Sequence, residues 1–232
     1  MPVGFGTERL AERFEELFPD VPYAVLDRDA AARSGGAARV LADFESGEAR
    51  ALLGTQMVAK GHDFPNATVL AVLDADALLS FPDFRSAERT FQLVTQAAGR
   101  VGRGERPGVV AVQTARPDHE AIAAAVAQDH ERFAEGELRF RRTFGYPPFS
   151  HLLLATWTAR ELGEAETAAR EGRAGVASVP RVRLLGPAPA PIERLKGLFR
   201  VQLLSKSDSR EALAEVGERL RALPDPPRLD RD

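Results

Sequence analysis

The sequence contains no cysteine, which removes disulfides and thiolate zinc sites from consideration and suits a reducing cytoplasm. It has no signal-peptide pattern and no apolar run of membrane-spanning length, so a cytoplasmic location with no membrane partner is expected. Also missing is a Gly-x-x-x-x-Gly-Lys-Ser/Thr loop, the segment whose backbone amides cradle phosphates. The chain therefore lacks the usual means of holding a nucleotide by itself. His62, His119, His130 and His151 form no metal-ligand spacing, and no metal site is expected.

What is present describes an ordinary soluble protein. The 232 residues, 44% hydrophobic and 28% charged, can bury two small cores, and two domains are expected, residues 1–145 and 146–232. The net charge of -3 does not announce a polyanion partner, but its distribution is uneven. Between Arg181 and Arg210 seven basic residues (Arg181, Arg183, Arg194, Lys196, Arg200, Lys206, Arg210) face only Glu193 and Asp208. Such a segment is either a solvated face or a site for phosphate or acidic peptide.

In chain order, Thr7 is a candidate cap for a helix to Leu17, with Leu10, Phe14, Leu17 and Phe18 forming its apolar stripe. Tyr23–Leu26, residues 49–54, 68–73 and 108–113 read as strands, alternating with helices at 37–44 and 85–98. Near-continuous apolar strands separated by helices predict a parallel sheet covered on both faces. One long helix is expected over 118–142, and the Gly145-Tyr146-Pro147-Pro148-Phe149 joint changes the pattern. After it, strand 151–158, helix 164–176, strands 183–185 and 199–205, and helix 209–223 lack only a final strand, for which residues 229–232 are the candidate start, to make a ferredoxin-like unit. The run from Gly186 to Pro191 is expected to be an extended loop, too rich in proline for a sheet. Trp157, Phe81, Phe84 and Phe91 are expected in cores.

The chemistry concentrates in two stretches. Gln96-Ala97-Ala98-Gly99-Arg100-Val101-Gly102-Arg103 places two arginines three residues apart, on one face if the segment is helical. Two fixed guanidiniums suit a polyphosphate. Gly99 and Gly102 weaken a helix, which points to close backbone approach or to a helix end. Earlier, in the loop after the second strand, Thr55 is followed by five residues and then Gly61-His62-Asp63. These are the spacings of motifs V and VI of superfamily 2 helicases, in their usual order.

The residues between them, Val72-Leu73-Asp74-Ala75-Asp76 and Pro82-Asp83-Phe84-Arg85-Ser86-Ala87-Glu88-Arg89, together with the two proline-rich segments, make the chain resemble the PriA family of primosomal replication-restart helicases over nearly its whole length. The resemblance implies an α/β fold: a second RecA-like helicase lobe followed by a small α+β domain that binds DNA and single-strand-binding protein. It implies the carboxyl-terminal part of an ATP-dependent 3′-to-5′ DNA translocase that works at stalled forks, with the first lobe, which holds ATP and magnesium, absent and no hydrolysis by this chain alone. On the same footing, Arg100 and Arg103 are arginine fingers and Gln96 faces the cleft. Gly61 and Asp63 couple to ATP, and Thr55 and Lys60 contact DNA phosphates. Arg194, Lys196 and Arg200 are assigned to DNA, and Arg210 to the tail of single-strand-binding protein. Forked or single-stranded DNA and other primosome proteins are the implied partners. The family carries a cysteine where Phe5 stands, which implies no zinc in this chain. A non-hydrolysing DNA-binding scaffold is the alternative.

Overall fold

A computed structural model describes residues 5–27, 30, 35–55, 64, 66–102 and 107–231. Its contacts divide the chain into two compact units, Met1–Leu79 with Ala87–His130, and Ser80–Ser86 with Glu131–Asp232. The division differs from a single cut at residue 145. The helix before the Pro147-Pro148 joint packs with the second unit, and so does a short segment borrowed from the middle of the first.

The first unit opens with α1 (Phe5–Leu17). This helix begins before Thr7, which is buried inside it, so Thr7 is not the cap expected of it. Phe14 packs on Phe18 and edge-on to Tyr23, folding α1 back on β1 (Tyr23–Leu26). Then come α2 (Gly36–Ser46) and β2 (Ala51–Gly54), and Leu26, Leu41 and Phe64 form a small core between them. The rest of the unit holds β3 (Val69–Val72), α3 (Ala75–Leu79), α4 (Ser86–Ala98) and β4 (Val109–Val112). Val72, Ala75, Ala97 and Ile122 are its second core.

Both strand pairings are parallel, as the strand–helix alternation predicts, with Tyr23 opposite Ala51 and Val69 opposite Val109. Among the described residues they form two separate pairs and not one sheet. The expectation of cover on both faces also fails for β3 and β4, where Val69 and Val109 are 66% and 60% exposed. Short strands with apolar residues at every position cannot reveal from sequence which face is left open.

The single helix expected over 118–142 is two, α5 (Glu120–Val126) and α6 (His130–Phe144). The first is capped by His119, whose Nδ1 accepts from the Ala121 amide, and not by Asp118. Gln128 at φ 54 breaks the run.

The second unit is organised by β5 (His151–Ala159), α7 (Leu162–Val176), β6 (Arg183–Leu195), β7 (Leu198–Ser207), α8 (Arg210–Arg221) and β8 (Arg228–Arg231). Its antiparallel sheet runs β6-β7-β5-β8, and β8 supplies the missing strand by pairing Leu229 with Ala155. The ferredoxin-like expectation is met. Alternate residues Leu153, Ala155 and Trp157 point into a core with Val201, Leu203, Ala165, Ala169, Val216 and Leu220, the period of two that places one strand face under the helices. Ser209 caps α8 by accepting from the Ala212 amide at 3.2 Å.

One expectation about this unit is overturned. The proline run from Gly186 to Pro191 is part of β6. The strand tolerates prolines because among the described residues it is an edge, with a partner on one side only, and because its register shifts between Leu185 and Ala188 and again between Pro189 and Arg194. Gly186, at φ +100, meets the Gln202 carbonyl so closely that a Cβ would stand 2.8 Å from it. Phe81 also departs from the sequence reading, at 45% exposed, whereas Phe91 and Trp157 are buried. Phe84 is half-buried and stacks on Tyr146, with ring centroids 5.0 Å apart.

Candidate functional site

Gln96 is exposed on the last turn of α4, and the helix ends at Ala98. Arg100 lies beyond it in a turn closed by its own amide donating to the Ala97 carbonyl at 3.0 Å. The shared helical face expected for Arg100 and Arg103 is therefore not the geometry at Arg100, and Arg103 falls outside the described residues. Both readings of the glycines hold instead. The helix stops at Gly99, and Gly102, at φ +73, passes so close to Gly108 that a Cβ on Gly102 would lie 2.4 Å from the Gly108 nitrogen. The Gly102 amide also donates to the Ala67 carbonyl at 3.4 Å, and Val101 is buried. The half-exposed Arg100 thus rises from a backbone pinned on both sides, beside the amino-terminal approaches of β3 and β4.

Gly102→Ala is expected to destabilise the first unit by more than the ~1–2 kcal/mol that a left-handed residue costs an L side chain, because the clashing neighbour is backbone. Thermal unfolding checks this, and a variant as stable as the parent would contradict the crossing.

The carboxyl ends of β3 and β4 are closed in a different way. Asp76 accepts from the Ala115 amide at 2.7 Å, from Thr114 Oγ1 at 3.2 Å and from Arg116 Nε at 2.9 Å. The Ala115 amide and then the Arg116 guanidinium hold its carboxyl below the ordinary 3.8. Three donors engage this carboxylate, which suits a tie between strand ends and not a metal ligand. Among the described residues no group of three or more His, Asp or Glu could hold a metal. The depressed pKa means the carboxylate contributes stability above pH 3.8, which is lost as pH falls through the lower folded value. Urea midpoints of the parent and Asp76→Asn should therefore differ near neutrality and converge well below pH 3.8; a difference that persists in acid would show that the carboxylate charge is not the cause.

Thr55 stands half-buried just past the carboxyl end of β2, the position where parallel strands present ligands. Lys60, Gly61, His62 and Asp63 lie outside the described residues.

The basic segment of the second unit is split by the fold. Arg194 is the penultimate residue of β6, Lys196 and Gly197 make the turn, and Arg200 follows on β7. The Arg194 guanidinium lies 5.0 Å from the centre of the Phe199 ring, and Arg200 donates to the Ile192 carbonyl at 3.5 Å. These three cations gather at one end of the hairpin. Arg210 is exposed at the start of α8, past the other end of β7, separated from Arg200 by on the order of 24 Å of strand. Near it Arg181 pairs with Asp208 at 2.9 Å, which raises the arginine and lowers the carboxyl.

Lys206 leaves the basic face altogether. It is buried, donates to the Phe144 carbonyl at 3.3 Å and places its ammonium 3.3 Å from the Tyr146 ring centre. Burial, then the Arg183 charge, pushes its pKa down. Sequence reasoning missed this tie because Phe144 and Tyr146 are distant in the chain from Lys206, and it missed Gly108 because its contact with Gly102 arises only from the strand pairing. A glycine immediately before a strand was the available hint for Gly108.

Comparison with known proteins agrees with the two units. Residues 7–105 match the helicase conserved C-terminal domain, and residues 142–231 match the primosomal protein N C-terminal domain. The chain is 39% identical over 219 residues to the replication restart protein PriA of Bacillus subtilis, with 92% of this chain and 27% of that protein covered. It is 39% identical over 215 residues to the Haemophilus influenzae protein of the same name, covering 92% and 30%, and 41% identical over 212 residues to that of Synechocystis, covering 89% and 25%. The chain thus spans between a quarter and a third of these relatives' length. With a helicase conserved C-terminal domain followed by a primosomal protein N C-terminal domain, and 39–41% identity to these relatives over about nine-tenths of its length, the chain belongs to the PriA family of replication restart proteins.

Proposed function

We propose that this chain supplies the arginine side of a nucleotide cleft and a DNA-contacting domain to an ATP-dependent 3′-to-5′ DNA translocase that acts at stalled forks in the cytoplasm. The observation that carries the reading is the Arg100 turn, a guanidinium on a backbone fixed by Ala67 and Gly108 within the segment that matches a helicase domain. A cation held in place before charge develops stabilises a transition state without reorganisation. Gln96, Arg100 and Arg103 line this side, and Gly61 and Asp63 link it to the loop after β2. ATP with magnesium, held mainly by another lobe, supplies the phosphoryl group to be transferred. Thr55 and Lys60 take phosphates of the tracked strand.

In the second unit Arg194, Lys196 and Arg200 take phosphates of forked or single-stranded DNA, and exposed Arg210 takes the acidic tail of single-strand-binding protein. Other primosome proteins assemble on the bound complex. Titration of forked DNA with this chain at several salt concentrations tests the DNA part. If each hairpin cation takes one phosphate, log K should fall against log salt with a slope of roughly -3. An affinity independent of salt would remove the basic hairpin from the interface.

A further inference from the structure

The turn between β6 and β7 carries apolar side chains where a solvent-facing turn would carry polar ones. Lys196 and Gly197, at φ 51 and 83, make a two-residue turn of the tight primed kind, with Leu195 directly opposite Leu198. These leucines are 49% and 37% exposed, and Ile192, in the bulge behind them, is 50% exposed. Cross-strand pairing explains the buried half of each leucine and leaves the outer half unaccounted for. What sets this tip apart from other exposed apolar residues is that its three side chains cluster beside cations.

The tip is narrow and cationic. Residues 192–200 hold Arg194, Lys196 and Arg200 against Glu193, three positive charges less one negative, or +2. Alternation along β7 puts Arg200 on the same face as Leu198, while Arg194 lies over Phe199 on the other. Three half-exposed side chains offer on the order of a few hundred Å² at most, well short of the ~800 Å² per partner of a stable protein interface. An apolar point flanked by cations matches a stacked base pair flanked by phosphates, where proteins insert leucine or isoleucine as a wedge.

We propose that the β6–β7 hairpin tip is a wedge for the junction of a forked duplex. Leu195 and Leu198 press on the terminal base pair, while Lys196, Arg194 and Arg200 hold the diverging phosphates. This deepens the reading that the second unit binds forked DNA, and rests on it.

The test uses a fork with 2-aminopurine at the junction pair, titrated with the chain and with Leu195→Ser/Leu198→Ser. The parent should raise the fluorescence and prefer the fork to a single strand of the same sequence. The leucine variant should lose the fluorescence rise and roughly tenfold of that preference, with its salt slope unchanged. Leu198→Tyr, which restores a stacking surface, should keep the signal and guards against a merely misfolded serine variant. Arg194→Ala/Lys196→Ala should instead reduce the salt slope. If the leucine variant keeps both signal and preference, the wedge is wrong while DNA binding stands. If the parent binds no DNA at all, the underlying reading fails and takes the wedge with it.

Discussion

Trp157→Ala should destabilise the second unit by about 3–5 kcal/mol, the usual cost of truncating a buried tryptophan. The side chain is 2% exposed in the middle of β5. Its ring fills the space left by Gly172 on α7, where an added Cβ would lie 2.3 Å from the Trp157 ring. One large side chain and one absent side chain therefore set the distance between the sheet and the helix. For a unit of about 100 residues, ~4–8 °C of melting temperature accompanies each kcal/mol, so the variant should melt roughly 10–40 °C lower.

Trp157→Phe should cost much less. Among the described residues the buried indole Nε1 finds no hydrogen-bond partner, and phenylalanine removes that unsatisfied donor with only part of the volume. Thermal unfolding followed by far-ultraviolet circular dichroism distinguishes the two. If Trp157→Ala melts with the parent but loses affinity for single-stranded DNA, the ring is a stacking platform and not a core residue.

The second unit was the more legible from sequence. The apolar, aromatic and β-branched run from Leu152 to Thr158 marks β5, Ser209 announces α8 three residues before the amide it accepts from, and the strand–helix order leaves room for one more strand at Arg228–Arg231. Its misread strand, the proline run, is instructive. Proline is excluded from a strand bonded on both sides, and the position of β6 at the sheet edge is a property of pairing that no local pattern contains.

The candidate site was readable as chemistry and less so as geometry. Two arginines near two glycines pointed to a polyphosphate, but the helical face on which they were to lie ends at Ala98. What positions Arg100 is a contact between Gly102 and Gly108. From sequence the two glycines are only neighbours along the chain, and their contact appears when β4 pairs with β3. The break of α5 from α6 at Gln128 has the same origin: residues 118–142 carry a helical pattern throughout, and a left-handed glutamine interrupts it.

In the proposed division of labour a nucleotide is held elsewhere and sensed here. The backbone around Arg100 is held by the Arg100 and Gly102 amides donating to the Ala97 and Ala67 carbonyls, and in the proposed cleft a guanidinium based there meets a developing charge with little rearrangement of the main chain. An arginine used in this way can change turnover by a factor of about 10³–10⁵, but only when a phosphate-holding lobe is present. The largest expected effect is therefore an absence: this chain, with ATP, magnesium and forked DNA, should release no phosphate.

The most direct measurement is that phosphate-release assay on this chain, with Arg100→Ala run in parallel. No DNA-stimulated rate above background is expected from either protein. A rate that forked DNA stimulates and Arg100→Ala abolishes would show that the chain holds and hydrolyses ATP itself, and would contradict the proposal that it supplies only the arginine side of the cleft.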